Sequence, residues 1–365
     1  MANDGEKLGI AFVAGLSDDK LRRKLAPLAA APNVGRVDVF RRSPLPDAPE
    51  KVVCRPIPTA LRAFEPAAEL ARVLDLLAKG GDYDVVVGCF QRWHGVWARL
   101  AGKTWKKPVV QLVITSVEWN LERPMCRHAM LSATACGVRG EASARALRGA
   151  GFAGPVEIVH NVFEGWRKPD GDGKGRGLDI VAAADYAEEK DYPWMLEVFS
   201  ELKKRRPDFR AALCGAGIAE RLSAETAERG LEDNVEFKGR LEGDPLVGTV
   251  ASSRVFLSTS RTEGLPQAAL EALSLGVPCV LTDVGDCRTV VGADGAGGTL
   301  VPHGDTAAMS AALDAALSAD APEAREKAGR RFAELAPEFS LENVARKWES
   351  LLAAALDTHS GSGGR

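Results

Sequence analysis

Short apolar runs alternate with helical patterns along the whole of this chain, and that alternation constrains its fold more than any other feature. The first half has strand-like runs at 8–14, 36–40, 84–89, 108–115, 135–138 and 156–159, with helical patterns such as 67–77 and 142–147 between them. The second half repeats the plan, with runs at 178–183, 211–214, 235–238, 255–258, 279–282 and 299–301. Such alternation predicts an α/β fold of mostly parallel sheets covered by helices. At 365 residues the chain is too long for one ordinary core, so two domains are expected. Residues 164–177 are rich in Gly and charge and lack an apolar period, which is the composition of a linker.

Hydrophobic residues make up 45% and charged residues 27%, the balance of a soluble globular protein. No window approaches eighteen uncharged apolar residues, and Met1–Glu6 is too polar for a signal peptide. A cytoplasmic location is therefore expected. The seven cysteines include no Cys-x-x-Cys pair, which points to a reducing compartment and no zinc site. Charge is uneven: residues 1–165 hold 23 basic and 17 acidic side chains, the remainder 24 and 33. A basic first half fits an anionic acceptor or peripheral contact with a membrane surface, and equally an ordinary solvated surface. Its short amphipathic stretch opens with Lys20, Arg22, Arg23 and Lys24. Near-neutral overall charge and the lack of a recognised motif speak against nucleic acid.

The segment Ser260-Arg261-Thr262-Glu263-Gly264-Leu265-Pro266-Gln267-Ala268-Ala269-Leu270-Glu271 sets two glutamates eight positions apart. A strand precedes it and a helix is expected to open at Pro266, where a missing N–H costs nothing. Ligands of open α/β sheets bind beyond the carboxyl ends of the strands. Glu263 is therefore expected in a crevice, ahead of helix N–H groups that favour an anion. Glu271 falls about two turns further, close to the same face. A sugar nucleotide combines hydroxyl pairs for the carboxylates with phosphates for the N–H groups.

This segment resembles the Glu-x7-Glu signature of retaining GT-B glycosyltransferases of the group 1, GT4-like kind. The resemblance implies two Rossmann-like domains facing across a cleft, and hinge closure. Residues 1–163 would bind the acceptor and 178–340 the nucleotide-sugar. A helix at 341–357 would cross back to the first domain, and 358–365 would be a disordered tail. It further implies that Glu271 takes the ribose hydroxyls, that Glu263 lies near the transferred sugar, and that Gly264 and Leu265 offer N–H groups. Lys190, in Asp185-Tyr186-Ala187-Glu188-Glu189-Lys190, matches the lysine that contacts the donor diphosphate. The usual arginine falls at Ala184, and Arg261 is the candidate substitute. Gly215 and Gly217 occupy the Gly-x-Gly turn, which serves either ligand approach or tight packing. Gly239 and Arg240 fall where the backbone meets the nucleobase, and Asp286 is expected to cap the helix after Thr282-Asp283-Val284-Gly285.

The first half matches only in outline. Gly15 is what remains of a Gly-rich loop, His94 is the nearest substitute for the family's histidine, and Glu118 occupies its likely segment. The expected reaction is transfer of a hexose or N-acetylhexosamine, from a UDP-sugar in preference to GDP-mannose, to a glycan, lipid-linked or small-molecule acceptor. Retention, with no metal and no resident cofactor, is implied by the family. The alternative is a catalytically impaired nucleotide-sugar-binding protein or partner subunit; a related epimerase or phosphorylase is disfavoured.

Overall fold

A computed structural model of the chain describes residues 7–80, 82–89, 93–168 and 177–362. The chain divides into two compact units, one of Met1–Phe163 with Glu338–Arg365, the other Glu164–Pro337.

The first unit is built on a seven-stranded parallel sheet in the order β3-β2-β1-β4-β5-β6-β7. Its strands are β1 Leu8–Val13, β2 Val34–Arg41, β3 Val52–Pro56, β4 Val85–Cys89, β5 Val109–Leu112, β6 Ala135–Val138 and β7 Val156–Ile158. Side chains of a strand alternate between faces. Ile10 and Phe12 of β1 enter one apolar cluster, while Ala11 and Val13 enter another on the opposite face. Both faces are thus buried, as parallel sheets require, and β1 and β4 read as near-continuous apolar runs.

Helix Leu341–Ser362 closes this unit. Val344, Trp348, Leu351, Leu352 and Ala355 recur at helical spacing, and all are buried against Leu21, Leu25 and Leu28 of helix Asp18–Ala30. Lys347 Nζ adds a 2.9 Å contact to Glu157 Oε1 on β7. The helix runs past the expected end: residues 358–362 are helical and not a disordered tail, and His359 Nε2 lies 3.0 Å from the Lys106 carbonyl oxygen. Positions 363–365 of that predicted tail lie outside the described residues.

The second unit has a six-stranded parallel sheet in the order β10-β9-β8-β11-β12-β13. The strands are β8 Leu178–Ala183, β9 Ala211–Cys214, β10 Val235–Gly239, β11 Ser253–Ser258, β12 Cys279–Thr282 and β13 Gly298–Val301. Helices Tyr192–Lys203 and Thr306–Ser318 cover one face with Leu196, Phe199, Met309 and Leu313 over Ile180, Leu213, Val255 and Leu257. The expected linker begins as part of this unit, since the Trp166 N–H donates to Ser274 Oγ at 2.9 Å. Its positions 169–176 lie outside the described residues.

In each sheet the first strand of the unit, β1 or β8, lies between two later ones. Strand order reverses between β1 and β4 in the first unit, and between β8 and β11 in the second. Open α/β sheets offer a ligand crevice at the carboxyl end of such a switch point.

Candidate functional site

Lys190 and Glu263 meet at the switch point of the second unit. Lys190 ends a short 3₁₀ turn, Glu188–Lys190, in the loop after β8, and Glu263 lies in the loop after β11. Lys190 Nζ lies 2.6 Å from Glu263 Oε1, and Ser260 Oγ donates to the same oxygen at 2.7 Å. Their side chains are 27% and 14% exposed, so the pair is sheltered and still reachable. Contacts to ionised groups of this kind are shorter and stronger than neutral ones.

The two loops are stitched together beneath that pair. Thr259 Oγ1 donates to the carbonyls of Lys190 and Asp191 at 3.0 and 3.3 Å. The Arg261 N–H donates to the Glu189 carbonyl at 2.8 Å, and Thr282 Oγ1 of β12 donates to the Ser260 carbonyl at 2.6 Å. Asp191 follows in a left-handed conformation, φ 48°, and is 5% exposed. Its Oδ2 receives Arg261 Nε at 2.9 Å and lies 2.8 Å from His303 Nε2. His303 follows β13 and sits against Trp194, ring centroids 4.6 Å apart. Arg261, the candidate substitute for the arginine missing at Ala184, bonds Asp191 through its Nε while its side chain stays 57% exposed.

The backbone behind Glu263 is fixed by close contact. Gly285, after β12, has φ 52°, and a Cβ there would stand 2.0 Å from the Glu263 carbonyl oxygen. The Asp286 N–H donates to the Gly264 carbonyl at 3.0 Å. Asp286 occupies the N-cap position of helix Cys287–Val291 without a side-chain capping bond, contrary to expectation. Pro266 is likewise the N-cap residue and not the first helical one, so helix Gln267–Ser274 starts one position later. Gly264 and Leu265 are buried, and Glu271 is half-buried within that helix.

Beside this centre the ends of β8, β9 and β10 converge on Asp185. Its Oδ1 accepts from the Ala216 N–H at 2.9 Å and its Oδ2 from Arg240 at 3.0 Å. Arg240 also holds Glu242 at 2.8 Å. Gly215 answers to packing: a Cβ would lie 1.9 Å from the Ala184 carbonyl oxygen. Gly217 caps helix Ile218–Glu228 at φ 76°, and Gly239 has φ 63° with open space where a Cβ would be.

In the first unit, Gly15 and His94 meet at the other switch point. Gly15 follows β1 and His94 lies in the first turn of helix Trp93–Trp105 after β4. A Cβ at Gly15 would fall 2.2 Å from the imidazole Cε1, so glycine makes room for the ring. Burial, helped by the charge of Arg72, lowers the His94 pKa to about 3, leaving a neutral ring at ordinary pH. Glu118 is exposed on helix Val117–Leu121 after β5, where Ser116 Oγ donates to its Oε2 at 2.8 Å. Lys190 with Glu263 and Gly15 with His94 are thus brought together pairwise. Sequence reasoning missed Asp191 and His303; an acid directly after Lys190 was the only sign of the first.

Residues 177–319 match the family described as Glycosyl transferases group 1. An Escherichia coli protein named "Putative colanic acid biosynthesis glycosyltransferase WcaL" is 30% identical over 184 residues, 48% of this chain and 45% of that protein. The lipopolysaccharide core biosynthesis mannosyltransferase LpsB of Rhizobium meliloti is 30% identical over 158 residues, 40% of this chain and 44% of its own length. The chain thus spans about half the length of the curated relatives it matches. Anabaena HepE, solved in complex with UDP-glucose, superposes with a TM-score of 0.74 at 15% identity, over 95% of this chain and 100% of that one. At that identity the likeness shows the fold, two parallel α/β sheets in the GT-B arrangement.

Proposed function

We propose that this protein is a retaining glycosyltransferase that moves a hexose or N-acetylhexosamine from a nucleotide-sugar, with UDP favoured as the nucleotide. One observation carries the reading: Glu263, held by Ser260 and Lys190 at the switch point, lies ahead of the helix that bears Glu271, inside the stretch that matches group 1 glycosyltransferases. HepE's complex with UDP-glucose supports the choice of donor. The acceptor is a glycan, a lipid-linked intermediate or a small molecule, taken by the first unit.

In this account the paired charges of Lys190 and Glu263 part when donor arrives. The ammonium turns to the diphosphate, and the carboxylate, still bonded to Ser260, accepts hydroxyls of the sugar. Glu271 takes the ribose, while Gly239 leaves space for the base. Positive charge arranged beforehand around a departing diphosphate is often the largest contribution to catalysis. The bond from the anomeric carbon to the diphosphate oxygen breaks, the acceptor oxygen bonds that carbon on the same face, and the acceptor proton passes to the departing diphosphate. Neither a resident cofactor nor a metal is invoked. His94 contributes as a neutral hydrogen-bonding ring near the acceptor. We place the protein in the cytoplasm, with the basic first unit suited to peripheral contact with the inner face of the membrane.

A second reading is a protein that binds nucleotide-sugar without transferring it. Ala184 at the expected arginine favours it. Release of free nucleotide from a panel of UDP-, GDP- and ADP-sugars, measured beside calorimetric binding, separates the two. Turnover of one donor supports the transferase. Tight binding without release, even with acceptors present, supports the second reading.

A further inference from the structure

Two ion pairs cross between the loops after β8 and β11. Lys190 of the first loop meets Glu263 of the second, and Arg261 of the second loop returns to Asp191 of the first, Nε to Oδ2 at 2.9 Å. Lys190 and Asp191 are adjacent, and Arg261 stands two residues before Glu263. The two pairs are built differently. Asp191 is 5% exposed, while the Arg261 side chain remains 57% exposed. Arginine carries five N–H donors in a rigid fork, and Nε supplies one of them. A bond through Nε therefore sets the direction of the guanidinium and leaves its terminal nitrogens toward solvent.

Asp191 has a left-handed φ of 48°, a conformation that favours glycine. It stands at the N-cap of helix Tyr192–Lys203, yet its side chain makes no capping bond. Neither the turn nor the helix calls for an aspartate. Its carboxylate instead joins two groups from other loops. His303, after β13, lies 2.8 Å from the same Oδ2 and is seated against Trp194. Trp194 is fixed in turn, because its indole N–H donates to Thr306 Oγ1 at 2.9 Å. The backbone is anchored at both ends of the pair: Thr259 Oγ1 donates to the Asp191 carbonyl at 3.3 Å, and the Arg261 N–H donates to the Glu189 carbonyl at 2.8 Å. Strained residues that persist at a ligand crevice are ones the surrounding contacts over-determine, and here those contacts converge on the Arg261 side chain.

We propose, on the reading of Lys190 and Glu263 as the donor site, that Arg261 is a second cation for the donor's diphosphate and that Asp191 is the positioning residue that aims it. Asp191, braced by His303, holds Nε. The terminal nitrogens take phosphate oxygens in the forked geometry that the single ammonium of Lys190 does not offer.

Calorimetry on the full chain, with UDP, GDP and ADP as probes, tests this without turnover. Arg261→Gln removes the charge from an exposed side chain and should leave folding intact. It should weaken the diphosphate that wild type binds by at least about tenfold. Asp191→Gly suits the φ of 48° and removes the carboxylate. It should stay folded and lose affinity several-fold, and the double variant should bind no more weakly than Arg261→Gln alone. Wild-type affinity in Arg261→Gln overturns the role of Arg261. Losses that multiply in the double variant overturn the positioning role, because Asp191 then acts other than through Arg261. Lys190→Gln separates these failures from failure of the donor site. If it weakens binding and Arg261→Gln does not, the donor site stands and the role of Arg261 falls. If neither weakens binding, or wild type binds no diphosphate, the donor site falls as well.

Discussion

Gly285 supports the carbonyl of Glu263 at van der Waals limits, and alanine there should move it. The added Cβ would lie 2.0 Å from the Glu263 oxygen, 2.8 Å from its carbonyl carbon and 3.1 Å from the Gly264 oxygen, where ordinary contact begins at 3.4 Å. Restoring contact requires a shift of roughly 1 Å in a loop tied down by Thr259, Ser260 and Arg261. The left-handed φ of 52° adds about 1–2 kcal/mol for any residue with a Cβ. Loss of the Asp286 N–H bond to Gly264 adds about 1 kcal/mol. A total of about 2–3 kcal/mol should lower the Tm of a unit this size by roughly 4–12 °C. Displacing Glu263 by about 1 Å should cost on the order of 100-fold in transfer. Gly230→Ala is the control, because Gly230 has a similar φ of 63° with nothing within 4 Å of its Cβ position. Calorimetry and nucleotide release on both variants read the difference. If Gly285→Ala proves no worse than Gly230→Ala in Tm and in turnover, close packing does not set the position of Glu263.

Other perturbations reach the rest of the molecule. Trp348 is 1% exposed at the centre of the terminal helix's apolar stripe, so Trp348→Ala should destabilise the first unit by about 3–5 kcal/mol in denaturant titration. His94 and His160 are both lowered to about 3, chiefly by burial, with Arg72 acting on the first and Arg139 and Lys347 on the second. The unfolded rings take up protons near pH 6.5, so the stability due to neutral burial is present above that pH and is lost as pH falls toward 3. Each ring should contribute at most about 1.4 kcal/mol per pH unit across that window, and His160→Phe should flatten the dependence measured by denaturation between pH 7 and 4.5. None of the seven cysteines is in a disulfide and six are buried; Cys54 alone is half-buried, so a thiol reagent should label it first in the native protein, as peptide mapping would show.

Twelve of the strands were legible because buried parallel strands are apolar runs bounded by turn residues. The exception, β3, is the edge strand Val52–Pro56: its apolar run is only Val52-Val53-Cys54 before Arg55 and Pro56, and its burial is incomplete throughout. Lys190 and Glu263 were legible through local motifs, and the structure brings them within 2.6 Å. The Asp191 hub was not. It depends on a positive φ at a non-glycine residue and on contacts from Arg261 and His303, far away in sequence. Lys24 illustrates the same limit from the other side. The sequence suggests one more basic residue on an amphipathic helix, whereas the fold turns it inward against Arg139 and Asn161. Gly215 was read with two purposes open, and its contact with the Ala184 carbonyl supports the packing purpose.

The central claim is that the Glu263 carboxylate, set by Ser260 and Lys190, acts on the donor sugar. Its most direct test is Glu263→Gln, which keeps the shape and the Ser260 contact and removes the charge. The measurement is nucleotide affinity by calorimetry together with transfer from the donor that wild type turns over. The account predicts affinity for the free nucleotide within a few-fold of wild type and transfer reduced by about 100-fold or more. Transfer at the wild-type rate in Glu263→Gln would contradict it.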